Sequence, residues 1–171
     1  VSARDFLTET TAALATLATT LSGVAEDFVV FANKGYVDLH DDYASTSSIM
    51  PQKKNPDSLE LVRAAAGDAS AGLNGLLTTL KGLPRAYNRD LQRAHGHAFE
   101  SVDAVAEAAE VAAGAVATAD WNDETLAEAA GAGFSTATGV ADLLAAGGLP
   151  FRTAHDAVAA AAEQGSDRAA L

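Results

Sequence analysis

The side chains able to do chemistry gather in Ser45-Thr46-Ser47-Ser48-Ile49-Met50-Pro51-Gln52-Lys53-Lys54-Asn55-Pro56-Asp57. Adjacent hydroxyls precede a proline-stiffened turn, followed by paired cations and an amide beside a helix start. A helix N-terminus presents unpaired N–H groups and partial positive charge. With Lys53 beside it, that region attracts carboxylates and favours negative charge on a neighbouring oxygen. A serine held there, its pKa lowered, acts as a proton acceptor. On pattern alone, the same string also reads as a polar loop with a capped helix behind it.

Long helices must position these residues. Ser2 and Asp5 resemble a capping box, and Leu14, Leu17, Leu21, Val24, Phe28 and Phe31 follow at alternating spacings of three and four, one stripe of a helix that Gly35 ends. Periodicity lapses over residues 36–56, a stretch long enough to be a functional lid or binding loop. It ends where Asn55 caps and Pro56 enters a second helix. That helix carries Leu59, Val62, Ala66, Ala69, Leu73, Leu76 and Leu80 and stops at Gly82-Leu83-Pro84. A polar connection from Arg85 to Arg93 leads to a third, with Phe99, Val102, Ala106, Ala109, Ala113 and Val116 on its stripe. The expected fold is all-α: a long-helix bundle over 1–119, its catalytic loop at 36–56, then a small helical domain over 120–171. Short helices are expected near 123–130, 136–146 and 152–164, and no strand signal stands out. Met50 is the sole methionine, so the chain reads as an internal piece of a longer one.

A formal net charge of −12, from 11 Lys+Arg against 23 Asp+Glu, argues against nucleic acid or anionic lipid as a partner. The acid excess and abundant alanine suit a salt-adapted protein. No cysteine is present for a disulfide or thiolate site. No apolar run is read as approaching the ~20 residues needed to cross a bilayer, and no signal peptide is visible, which makes a cytoplasmic location the default. His95 and His97 diverge on a helix, and His40-Asp41-Asp42 reads as a solvated loop, so no metal and no cofactor is expected.

The string closely resembles the signature loop of the fumarase/aspartase superfamily, Gly-Ser-Ser-x-Met-Pro-x-Lys-x-Asn before a long helix. Its continuation Gln52-Lys53-Lys54-Asn55-Pro56-Asp57 resembles the argininosuccinate lyase branch. So do Leu80-Lys81-Gly82-Leu83-Pro84, Tyr87-Asn88-Arg89-Asp90-Leu91-Gln92 and Leu149-Pro150-Phe151-Arg152-Thr153-Ala154-His155. The resemblance implies the central and C-terminal domains of that fold, and elimination of fumarate from argininosuccinate to leave arginine. It makes Ser47 the catalytic base and Glu60 the acid that raises the basicity of a catalytic histidine. Lys53 and Asn55 become holders of the substrate and its developing charge, with Tyr87 and Gln92 as further substrate contacts. It also implies a homotetramer whose active sites each draw on three subunits, with the histidine upstream of this chain; the chain alone is then expected to be inactive.

From pattern alone, Glu60 is a surface glutamate beside Leu59, Tyr87 packs across a turn, Gln92 begins a helix and Lys54 is solvated. Thr46 stands where the family has glycine, which stiffens the loop because threonine does not take positive φ cheaply. His95 stands where a lysine is expected, leaving Arg93 or His97 to supply the charge. Alternatives are another lyase of the superfamily, acting on adenylosuccinate or fumarate, or a non-catalytic relative like the family's lens crystallins. The joint presence of Ser47, Lys53, Asn55 and Glu60 speaks against the last.

Overall fold

The computed structural model describes residues 3–50, 53–132 and 134–169. The first helix, α1, runs Asp5–Asn33; α2 runs Asp57–Leu80; α3 runs Leu91–Ala117. All three pack on one another, and the fold class is all-α as expected. On α2 the apolar stripe points inward as its spacing predicts: Leu59, Val62, Ala69 and Leu76 are buried. Each fully buried leucine or valine contributes roughly 1.5–3 kcal/mol.

The stripe of α3 turns inward one position away from the expected one; that of α1 does so in part, since Phe28 is buried and Leu14, Leu21 and Phe31 pack against the core as expected. On α1 the buried residues are Thr11, Ala15, Ala18, Ala25, Phe28 and Val29, while Leu17 and Val24 are exposed. On α3 they are Leu91, Ala94, Ala98, Ser101, Val105, Ala108, Ala112 and Ala115, and Phe99 stays 63% exposed. The cause is close approach. Gly75 of α2 faces α3 so tightly that a Cβ there would lie 2.7 Å from His97 Cε1, and only small side chains fit along such a seam.

Gly35, at φ 72°, ends α1 as its position predicts. Its N–H donates to the Ala32 carbonyl, and that of Tyr36 reaches back to Phe31 at 2.9 Å, the paired closure that satisfies a helix C-terminus. At the other end of α1, Arg4 occupies the cap position, and its side chain makes no capping bond to the helix start; Ser2, expected to cap, lies outside the described residues. Contrary to the sequence reading, α1 is long and apolar enough to cross a membrane, with a mean hydropathy of 1.4 over its most apolar window. Its alanine face is packed against α2 and α3.

The stretch between α1 and α2 is structured rather than open. It contains strand β1 (Val37–Asp38), a 3₁₀ turn (Asp41–Tyr43), β2 (Ser45–Thr46) and β3 (Lys54–Asn55), and β4 (Asp120–Trp121) follows α3. Two antiparallel ladders form: Val37 with Trp121 and Asp38 with Asp120, and Ser45 with Asn55 and Thr46 with Lys54. The expectation of no strands fails here because ladders of two residues leave no alternation to read. Trp121 meets Phe28 edge to face at 5.6 Å, which ties the ends of α1 and α3 together.

Residues 122–171 form a separate compact unit from residues 1–121. It holds α4 (Asp123–Gly131), α5 (Ala137–Ala146) and α6 (Phe151–Ala169). Asn122 caps α4 by accepting the Thr125 N–H at 3.0 Å, and α5 packs on α6 with Ala141 and Ala154 buried.

Candidate active site

The segment expected to carry chemistry is a β-hairpin, with β2 and β3 as its root. Across it the Ser47 N–H donates to the Lys53 carbonyl at 2.9 Å, and the Lys53 N–H donates to the Met50 carbonyl at 2.9 Å. Ser47 and Lys53 are therefore brought together. The tip is open to solvent, with Ile49 87% exposed. Pro51 and Gln52 lie outside the described residues.

Ser47 is half-buried, and its hydroxyl oxygen accepts the N–H groups of Ile49 at 3.3 Å and Met50 at 3.1 Å. Donors converging on one oxygen favour its negatively charged form. The sequence reading gave that task to the N-terminus of α2. Among the described residues, the amide donors on Ser47 belong instead to the hairpin's own turn. Asn55 also departs from expectation: its backbone is committed to β3, and Pro56 occupies the cap position of α2 without a side-chain bond.

The root is fastened on several sides. The Ser45 hydroxyl donates to the Asp57 carboxylate, and the Ser58 hydroxyl donates to the Tyr43 carbonyl. Lys54, expected to be merely solvated, places Nζ 2.8 Å from Asp41 Oδ1 and 3.3 Å from Asp38 Oδ1. The bond to Asp41, then that to Asp38, raises the Lys54 ammonium above its ordinary value, and Lys54 in turn lowers the Asp41 carboxyl. No sequence signal reveals this clamp, because its members lie 13 and 16 positions apart with the hairpin between them. His40 Nδ1 lies 3.3 Å from the Asp42 N–H, which it accepts.

Glu60 sits in the first turn of α2, exposed beside buried Leu59. Arg63, one turn on, lies 3.9 Å from Glu60 and pairs more closely with Glu26 of α1. That leaves the Glu60 carboxylate able to accept from a further partner. Tyr87 and Gln92 meet each other, Gln92 Nε2 donating to the Tyr87 hydroxyl at 3.4 Å, with Tyr87 63% exposed rather than packed across a turn. Ala86, at φ 87°, and Asn88, whose amide donates to the Pro84 carbonyl at 3.0 Å, shape that connection. His95 is exposed and stacks on Phe99, while His97 packs over Gly75 in the helix seam. Arg93 is exposed near the start of α3.

The sites thus fall into separate groups. Ser47, Lys53, Asn55 and Glu60 lie around the start of α2, whereas Tyr87 and Gln92 lie beyond its end. From Glu60 to Leu80 the helix advances about 30 Å. One copy of the chain does not bring both groups to one small molecule.

Comparison with known proteins defines the class first. Residues 1–70 match the family model described as Lyase, and residues 134–170 match the one described as Argininosuccinate lyase C-terminal. An EDDS lyase solved with formate superposes with a TM-score of 0.86 at 32% identity, covering 99% of this chain and 34% of that one. The 3-carboxy-cis,cis-muconate lactonizing enzyme from Pseudomonas putida shares the fold at a TM-score of 0.77 and 19% identity, over 94% of this chain and 36% of that one. The fold is that of the fumarase/aspartase lyases. Among sequences, argininosuccinate lyase of Natronomonas pharaonis is 78% identical over 99% of this chain and 35% of its own length. That of Halobacterium salinarum is 68% identical over 98% and 35%, and that of Limosilactobacillus fermentum 48% over 91% and 34%. Over nearly its whole length the chain is similar to argininosuccinate lyases, and it spans about a third of the length of the curated relatives it matches.

Proposed function

We propose that this chain supplies the proton-abstracting hairpin of a carbon–nitrogen lyase that splits argininosuccinate into arginine and fumarate, the last step of arginine biosynthesis in the cytoplasm. The observation that carries the reading is the pair of amide N–H groups donating to Ser47 Oγ on an open hairpin. Deprotonated Ser47 takes the proton from the carbon next to a substrate carboxylate. The electron pair left behind enters that carboxylate, as an aci-carboxylate held by Lys53 and Asn55. It then returns to form the carbon–carbon double bond as the carbon–nitrogen bond breaks. The departing nitrogen takes a proton from a histidine contributed from outside these residues, whose basicity Glu60 raises.

The separation of Tyr87 and Gln92 from the hairpin supports a site assembled between copies, as in a homotetramer. In this reading residues 1–119 belong to the central bundle domain and 120–171 open the C-terminal domain.

The test is Ser47→Ala in the full-length protein, assayed with argininosuccinate and, in parallel, with adenylosuccinate and fumarate. Turnover of argininosuccinate alone by the parent, falling by about 10²–10⁴ in the variant with an unchanged oligomer mass, is the expected result. Unchanged turnover removes Ser47 from the mechanism, and a preference for another substrate moves the protein to a different branch of the superfamily.

A further inference from the structure

We propose that Lys54 is a positioning residue for Ser47, acting as a two-carboxylate clamp that fixes the hairpin root. Lys54 follows Lys53 directly, yet it faces away from the task given to Lys53. Its Nζ is 2.8 Å from Asp41 on the 3₁₀ turn and 3.3 Å from Asp38 on β1. Backbone pairing places Lys54 opposite Thr46, the residue before Ser47. A displacement of Lys54 is therefore passed to Ser47 through one ladder rung and one peptide bond.

The anchors are fixed on their own side. Asp38 pairs with Asp120, and directly opposed residues of an antiparallel pair share a face. Like charges there repel, and the Lys54 ammonium offsets that repulsion. Asp41 begins the turn that ends at Tyr43, whose ring lies against α3 at Gly114 and whose carbonyl accepts the Ser58 hydroxyl. The clamp thus joins the hairpin to the body of the bundle, while Ile49, beyond the root, is 87% exposed. A rigid root confines the Ser47 oxygen to a narrow arc, and loss of geometry at such a distance from the chemistry lowers turnover.

The proposal rests on Ser47 being the base, so the full-length enzyme is tested with Ser47→Ala as a parallel control. Lys54→Met should lower kcat about threefold to tenfold with KM and the pH profile unmoved, and Lys54→Arg should restore most of the loss. Asp41→Asn, an independent route to the same break, should reproduce it. Amide exchange at Ser47 and Lys53 should quicken in Lys54→Met and Asp41→Asn while that at Leu76 stays put. A rise in KM with kcat intact would make Lys54 a substrate contact, and unchanged kcat and unchanged exchange would abolish the clamp; either overturns the inference. If Ser47→Ala remains active while Lys54→Met quickens exchange, the functional reading fails and the clamp survives.

Discussion

The phenol of Tyr43 fills the space that a Cβ on Gly114 would need, so the turn ahead of the hairpin is seated directly on α3. Gly114→Ala must push the ring aside. Overpacking of this kind costs about 1–3 kcal/mol, and alanine's better helix propensity returns at most about 1 kcal/mol. Urea unfolding of the full-length protein should show a net loss of about 1–2 kcal/mol. A Gly114→Ala, Tyr43→Ala double variant should lose no more than Tyr43→Ala alone, since the two effects share one contact.

Tyr87 and Gln92 form an exposed pair away from any core. Tyr87→Phe removes the hydroxyl that accepts from Gln92 and touches no packing. Stability should change by less than about 0.5 kcal/mol, while KM for argininosuccinate in the full-length enzyme should rise about tenfold, the loss expected when a hydrogen bond to a charged ligand is removed. An unchanged KM would place the pair outside the substrate contacts.

The clamp should also be visible in its pH dependence. Asp41 is lowered from its ordinary 3.8 by the bond from Lys54, so its contribution is present above that value and lost as pH falls through the lowered one. Lys54 is raised from 10.5, chiefly by Asp41, so its contribution is complete below that value and lost as pH climbs through the raised one. Protection of the Ser47 and Lys53 amides, corrected for intrinsic exchange, should therefore be level across neutral pH. It should fall at the acid end before α2 core amides such as Leu76 do, and in Asp41→Asn that early acid step should be absent.

How far the sequence spoke depended on what each element packs with. On α2 large aliphatic residues make the contacts, and Leu59, Val62 and Leu76 announced the inward face. On α1 and α3 the contacting residues are mostly alanines, and the larger Leu17, Val24, Phe99 and Val102 lie outside the seam. A hydrophobic pattern gives most weight to the bulkiest side chains, and so it read α3, and α1 in part, one position out of register. The hairpin was legible as a chemical string because its residue types are unusual. Its hydrogen bonds were not, since the amides of Ile49 and Met50 look like any others until the chain turns. The Tyr87–Gln92 contact was likewise hidden: a five-residue separation crosses the start of α3.

The span of α2 also limits how the gene for such a protein can vary. Each residue added or removed between Glu60 and Leu80 slides everything beyond it by about 1.5 Å and rotates it by about 100°. A single-codon insertion there would leave both groups of side chains intact, yet aim Tyr87 and Gln92 in a new direction. Length variation within α2 is therefore forbidden, which makes this helix a gauge as much as a scaffold.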